Sequence, residues 1–158
     1  MPITYRRATI DDAPLIVDLR IRSIDEDSGL TEPEKESLRA SNMAYIANAM
    51  PKDAFVSFLA YDGDRPVGTA SACLHSVMPG KKLPLGQDAY IQNVYVSPGH
   101  RRRGVGKALI GLLLEEIGRR GDMRITLHAT KMGQALFREC GFDTTENLGL
   151  TEMAYAKS

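Results

Sequence analysis

The chain has 158 residues, 43% of them hydrophobic and 25% charged, which is enough for one compact domain, residues 1–158, with its own core. Its 20 basic and 20 acidic residues cancel, so no global field favours nucleic acid or an anionic membrane. Two cysteines, Cys73 and Cys140, are too few for a disulfide scaffold, lack the spacing of a metal site, and read as small buried apolar residues. No apolar run reaches signal-peptide or membrane-span length, so a cytoplasmic protein with no membrane partner is expected.

Ile3 to Ala8 reads as a first strand, with Ile3 and Tyr5 on one face and Thr4 and Arg6 on the other. Asp11 or Thr9 caps a helix through about Arg22, with Pro14 in its first turn. Asp25-Glu-Asp-Ser-Gly29 ends helical structure, and Thr31-Glu-Pro-Glu34 looks like the start of a second helix. An interrupted helical hairpin of this kind suits a lid, so Ile24 to Leu38 is expected to share in substrate selection. Its acidic residues are either a solvated loop or an attraction for a cationic amine.

Ala54 to Tyr61 and Val67 to His75 read as a hairpin folded at Asp62-Gly63-Asp-Arg-Pro66. Gly68, Ala70 and Ala72 keep one part of it small, which favours close packing against helices. His75, near the strand end, reads as structural. The Pro/Gly-rich connection from Met78 to Gly86 borders the expected acceptor side and leads into the next strand.

That strand, Tyr90 to Val96, is stopped by Ser97-Pro98-Gly99, and a basic glycine-rich turn then opens an amphipathic helix. Such an order builds an anion site. The first N–H groups of a helix lack intrahelical partners, the macrodipole places partial positive charge there, and glycines allow close approach to the backbone. Arg101, Arg102, Arg103 and Lys107 add formal charge, so phosphate or pyrophosphate is the expected guest. The P-loop pattern fails because Val105-Gly106 follows Gly104 where lysine is required, and the dinucleotide fingerprint fails at Leu109. Val105, Ala108, Leu109, Leu112, Leu113 and Ile117 recur at helical spacing and read as core. Gly121-Asp122 closes the helix, Met123 to His128 alternates as a strand, and a short helix from about Lys131 to Cys140 ends at Gly141. Residues 143–156 are expected to supply one or two closing strands. This order of elements points to a mixed sheet.

Arg101-x-x-Gly104-x-Gly106 directly after a strand resembles the GNAT superfamily of acetyl-CoA-dependent N-acetyltransferases. Asn93-Val-Tyr-Val-Ser-Pro98 looks like that family's central strand, and Leu136-Phe-Arg-Glu-Cys-Gly-Phe142 resembles its later leucine-aromatic helix. The close resemblance covers residues 88–142. It implies a mixed, mostly antiparallel central sheet flanked by helices, acetyl-CoA as co-substrate and no metal. It further implies direct transfer of acetyl to a primary amine of a small-molecule or peptide acceptor, and is compatible with a homodimer. By resemblance, the pantetheine arm runs beside Val94, Tyr95 and Val96, with the Val94 N–H polarising the acetyl oxygen. Arg101, Arg102, Arg103, Gly104, Val105, Gly106 and Lys107 cradle the pyrophosphate. Thr130 stands where many relatives carry a cofactor-contacting Asn.

One departure bears on mechanism. Phe137 occupies the place of a tyrosine read in many relatives as the acid that protonates the departing thiolate, and phenylalanine has no proton to donate. Tyr90 and Gln92 lie at or near the place of a catalytic glutamate, and neither is a good base at neutral pH. Deprotonation through water arranged by Tyr90, Gln92 or Asp88 is the expectation, with His128 structural. A nucleic-acid-binding module would account for His100-Arg-Arg-Arg103, but aromatics are 6% of residues and no binding motif is present. A non-catalytic acetyl-CoA sensor accounts for the cradle and Phe137 together and is the alternative.

Overall fold

The computed structural model describes residues 2–156, and the chain divides into two compact units, Met1–His128 and Ala129–Ser158. The first holds β1 (Ile3–Arg7), α1 (Ala13–Ser28), α2 (Glu32–Ala49), β2 (Phe55–Asp62), β3 (Arg65–Ser76), β4 (Gln87–Val96), α3 (Val105–Arg119) and β5 (Arg124–Thr126). The second holds α4 (Gln134–Glu139). The sheet runs β1-β2-β3-β4-β5, antiparallel throughout except for the parallel β4–β5 pair. This is the mixed sheet that the order of elements implied and, in being mostly antiparallel, the one that the resemblance implied.

Local chemistry sets the helix boundaries. The Thr9 N–H donates to the Asp12 carboxylate at 2.7 Å, one arm of a capping box that leads into α1. Arg6 holds the same carboxylate through two 2.7 Å bonds, tying this start to β1. Past the expected end near Arg22, α1 continues to Ser28 because Gly29, at φ 72°, is the first residue placed to leave the helix. A second capping box, Thr31 with Glu34, opens α2 almost at once.

Strand alternation then decides which helix meets which face. On one face Phe55, Leu59, Cys73 and Tyr95 join Ile16, Val17 and Leu19 of α1 and Ile46 of α2 in a buried cluster. On the other, α3 packs against β2, β3 and β4 and buries Val105, Leu109, Ile110, Leu113 and Ile117. Each such side chain contributes about 1.5–3 kcal/mol by leaving water. Gly68 permits this closeness: a Cβ there would lie 2.9 Å from the Tyr95 carbonyl oxygen and 3.3 Å from Leu109.

Three expectations are corrected. The strand expected over Met123 to His128 pairs only through Arg124–Thr126, and the helix expected from Lys131 forms only over Gln134–Glu139. Residues 143–156 contain no strand. There Asp143 accepts from the Thr144 N–H and the Asn147 amide, both at 2.8 Å, and Gly149 takes φ 83°, so side-chain-stabilised turns replace the extended backbone.

Candidate active site

The centre of the site is a break in β4. Ser71 of β3 pairs with Gln92, but Thr69 pairs with Tyr95, so β4 spends one more residue than β3 across Asn93-Val94. Asn93 sits at φ 59°, a left-handed conformation that asparagine tolerates better than most residues. The extra residue reverses the alternation. Tyr90, Gln92 and Tyr95 therefore share the face toward α1 and α2, which a regular strand would deny to Tyr95.

The opposite edge of β4 opens over the same stretch. β5 pairs only with Asp88, Ala89 and Tyr90, so beyond Tyr90 the two strands part. Val94 and Val96 lie in the parted section, with Arg101 Nε donating to the Val96 carbonyl at 2.7 Å. The chain then turns through Pro98–His100, where buried His100 bonds Asp62 at 2.9 Å and holds the Asp62 carboxyl below its ordinary range. Arg102 at φ 61° and Gly104 at φ 80° bend the backbone into the start of α3. No side chain caps that start, and a Cβ at Gly104 would meet nothing within 4 Å. Among the described residues, Arg102, Arg103 and Lys107 have no ion-pair partner. Three cations thus flank the start of a 15-residue helix that no side chain caps.

Arg101 is differently employed. Its guanidinium bonds Glu26 at 2.6 Å and lies 5.6 Å from the Tyr95 ring centroid, while the Tyr95 hydroxyl donates to Glu26 at 2.6 Å. Tyr95 first, then Arg101, hold the Glu26 carboxyl below its ordinary range; burial and then Glu26 raise the Tyr95 phenol. This triad ties α1 to the end of β4.

Of the expected proton-transfer residues, Asp88 is held by Arg124 through bonds of 3.2 and 2.8 Å, and Gln92 donates to the Cys73 sulfur at 2.9 Å. Tyr90 has a different neighbour: its hydroxyl lies 2.6 Å from His128 Nδ1. His75 is exposed at the end of β3. On the Gln92 side, a narrow cleft is lined by residues including Arg20, Asn42, Tyr45, Phe55, Gln92 and Asn93. The sequence reading did not single out Arg20, Asn42, Tyr45 or the Tyr90–His128 pair, and it placed Asn93 only within the central-strand motif. Asn93 alone left a trace, because asparagine is depleted inside regular strands.

Thr130 and Phe137 belong to the second unit. There the Thr130 hydroxyl accepts the Gly133 N–H at 3.2 Å, which spends one of its lone pairs on the turn before α4. Phe137 is half-buried with its ring edge-on to Phe142, centroids 6.2 Å apart.

Residues 20–142 match the family model described as the acetyltransferase (GNAT) family, and the chain belongs to that family as an N-acetyltransferase. A GCN5-related N-acetyltransferase from Ralstonia eutropha is 25% identical, with 99% of each chain covered and a TM-score of 0.81. A predicted acetyltransferase from Clostridium acetobutylicum, in a structure with acetyl-CoA, is also 25% identical, with 97% of this chain and 96% of that one covered at a TM-score of 0.81. Glucosamine-6-phosphate N-acetyltransferase from Arabidopsis thaliana shares the fold at 14% identity, 100% and 99% coverage and a TM-score of 0.70. No curated protein matches the sequence.

Proposed function

We propose that the protein transfers acetyl from acetyl-CoA to a primary amine by direct attack in a ternary complex. One observation carries the reading: the edge of β4 that β5 leaves after Tyr90 runs straight into the uncapped, arginine-flanked start of α3. The pantetheine amides would pair with Val94 and Val96 as an added strand, beside Tyr95. The pyrophosphate would lie on the backbone from Gly104 through Val105 and Gly106 to Lys107, with Arg102 and Arg103 around it. Arg101 would act on the cofactor indirectly, by fixing the end of β4 through Glu26 and Tyr95.

In the chemical step the amine nitrogen attacks the acetyl carbon, the Val94 N–H stabilises the developing oxyanion, and the carbon–sulfur bond breaks. The amine must first lose a proton. Tyr90 is the group in this reading that can receive it, because its hydroxyl can pass its own proton to His128 Nδ1 at 2.6 Å. Asp88 is committed to Arg124, and Gln92 orients rather than titrates. With phenylalanine at 137, the departing thiolate takes its proton from water. A cytoplasmic setting belongs to the same reading, since two cysteines are too few for a disulfide scaffold.

Calorimetry with coenzyme A and acetyl-CoA, followed by a thiol-release screen of amines with mass spectrometry of the products, tests this. Binding and an acetylated amine are expected. Coenzyme binding without any product would favour the sensor, and no coenzyme binding would overturn the site.

A further inference from the structure

We propose that the cleft between α1, α2 and β4 receives an amine that also carries a carboxylate, with Arg20 holding the carboxylate. The proposal rests on the acetyl-transfer reading and adds the chemical class of the acceptor.

Arg20 is half-buried on α1 and lines the cleft, and among the described residues its guanidinium has no hydrogen-bond or ion-pair partner. Two other cations on the same helical hairpin are paired, Arg39 with Asp18 at 2.6 Å and Lys35 with Asp25 and Glu32 at 3.4 Å each, while Arg22 is exposed to water. A partly desolvated guanidinium costs free energy unless an anion meets it, and its planar fork matches a carboxylate.

The acidic residues at the end of α1 and the start of α2 do not supply that anion. Asp25 accepts the Leu30 N–H at 2.8 Å, Glu26 is shared between Tyr95 and Arg101, Asp27 accepts from Ser28 at 3.2 Å, and Glu34 closes the capping box of α2. No Asp or Glu lines the cleft, whose single formal charge is therefore positive. A polycationic amine would be repelled here.

The other pole is an acceptor. Asn93 Oδ1 is buried and has no hydrogen-bond partner among the described residues, while its amide nitrogen reaches Ser71 at 3.5 Å. An unmatched buried carbonyl oxygen calls for an N–H. Asn93 adjoins Val94, whose N–H is assigned to the acetyl oxygen, so an amine donating to Asn93 stands beside the group it would attack. Between the two poles, Ile16, Val17, Tyr45, Ile46 and Phe55 form apolar walls. A free amino acid carries an amine and a carboxylate together with apolar carbon.

Calorimetric titration of the full chain, with and without saturating coenzyme A, tests the assignment. The probes are the L-amino acids, their carboxamides, O-phosphoethanolamine and spermidine. At least one amino acid is expected to bind about tenfold or more tightly than its own amide, the loss typical of a charge-assisted bond. Arg20→Gln should abolish that preference and Arg20→Lys should retain part of it, with thermal melts checking that each variant folds. The acid–amide comparison on the parent protein needs no variant. Equal binding of acid and amide, tighter binding of spermidine, absence of amino-acid binding, or O-phosphoethanolamine outbinding every amino acid would each overturn the carboxylate assignment. Failure of coenzyme A to bind would instead count against the acetyl-transfer reading, and the titration without coenzyme would still test Arg20.

Discussion

Replacing Gly68 with alanine probes the closest backbone approach in the sheet. The new Cβ would lie 2.9 Å from the Tyr95 carbonyl oxygen, 3.3 Å from Leu109 Cδ1 and 3.5 Å from Val105 Cγ1. Side chains can yield by a few tenths of an ångström, but the Tyr95 oxygen is backbone, held where Gly68 pairs with Val96. Relief therefore requires β3 and β4 to shift. Overpacking of this kind costs about 1–3 kcal/mol, offset in part by about 0.4–1 kcal/mol from the reduced freedom of the unfolded chain. For a chain of 158 residues the net loss, up to about 2.6 kcal/mol, corresponds to a melting temperature lower by as much as roughly 10 °C. Gly111→Ala is the matched control, because its Cβ meets nothing within 4 Å and improves helix propensity, so it should raise stability by up to about 1 kcal/mol. The assay is thermal denaturation of both variants, followed by calorimetry with coenzyme A. Gly68→Ala should also weaken coenzyme binding, since the backbone that must move carries Tyr95 and Val96. A Gly68→Ala protein that melts at or above the parent and binds coenzyme A equally well would refute the reasoning.

Other outcomes follow from the site. Tyr90→Phe removes the hydroxyl 2.6 Å from His128 and should lower the acetylation rate by about 10²-fold or more with an altered pH–rate profile, measured by thiol release. Asp88→Asn should leave that profile unchanged, because Arg124 already engages the carboxylate at 2.8 Å. Phe137→Tyr should give activity similar to or above the parent, and a large loss would show that position 137 does not face the thiol. Asp12 supplies a stability test: hydrogen bonding to Arg6 is the largest cause holding its carboxyl down at about 2, from an ordinary 3.8. Its contribution is present above the unfolded value and is lost as pH falls through the folded one. Asp12→Asn should therefore destabilise by about 1 kcal/mol near neutrality, after solvent screening, with the difference shrinking between about pH 4 and pH 2 in acid melts.

Much of this molecule is written in residues close together in the chain. Thr9 with Asp12, Thr31 with Glu34, and Gly104 before Val105 are short-range patterns whose chemistry acts within a few residues, so the helix starts and the basic glycine-rich turn were legible without coordinates. Partnerships between distant segments were not. Glu26 claims Arg101 across 75 residues, and His128 meets Tyr90 across 38. The sequence reading accordingly assigned Arg101 to the cofactor and His128 to the scaffold. In residues 143–156, apolar residues between turn formers were compatible with strands, but a strand also needs a neighbour to pair with, and local turns formed instead. The bulge at Asn93-Val94 is the sharpest case. Alternation along β4 is set by local geometry, but the extra residue exists only relative to β3, so tertiary pairing decided that Tyr95 would reach Glu26 and that Asn93 would line the cleft.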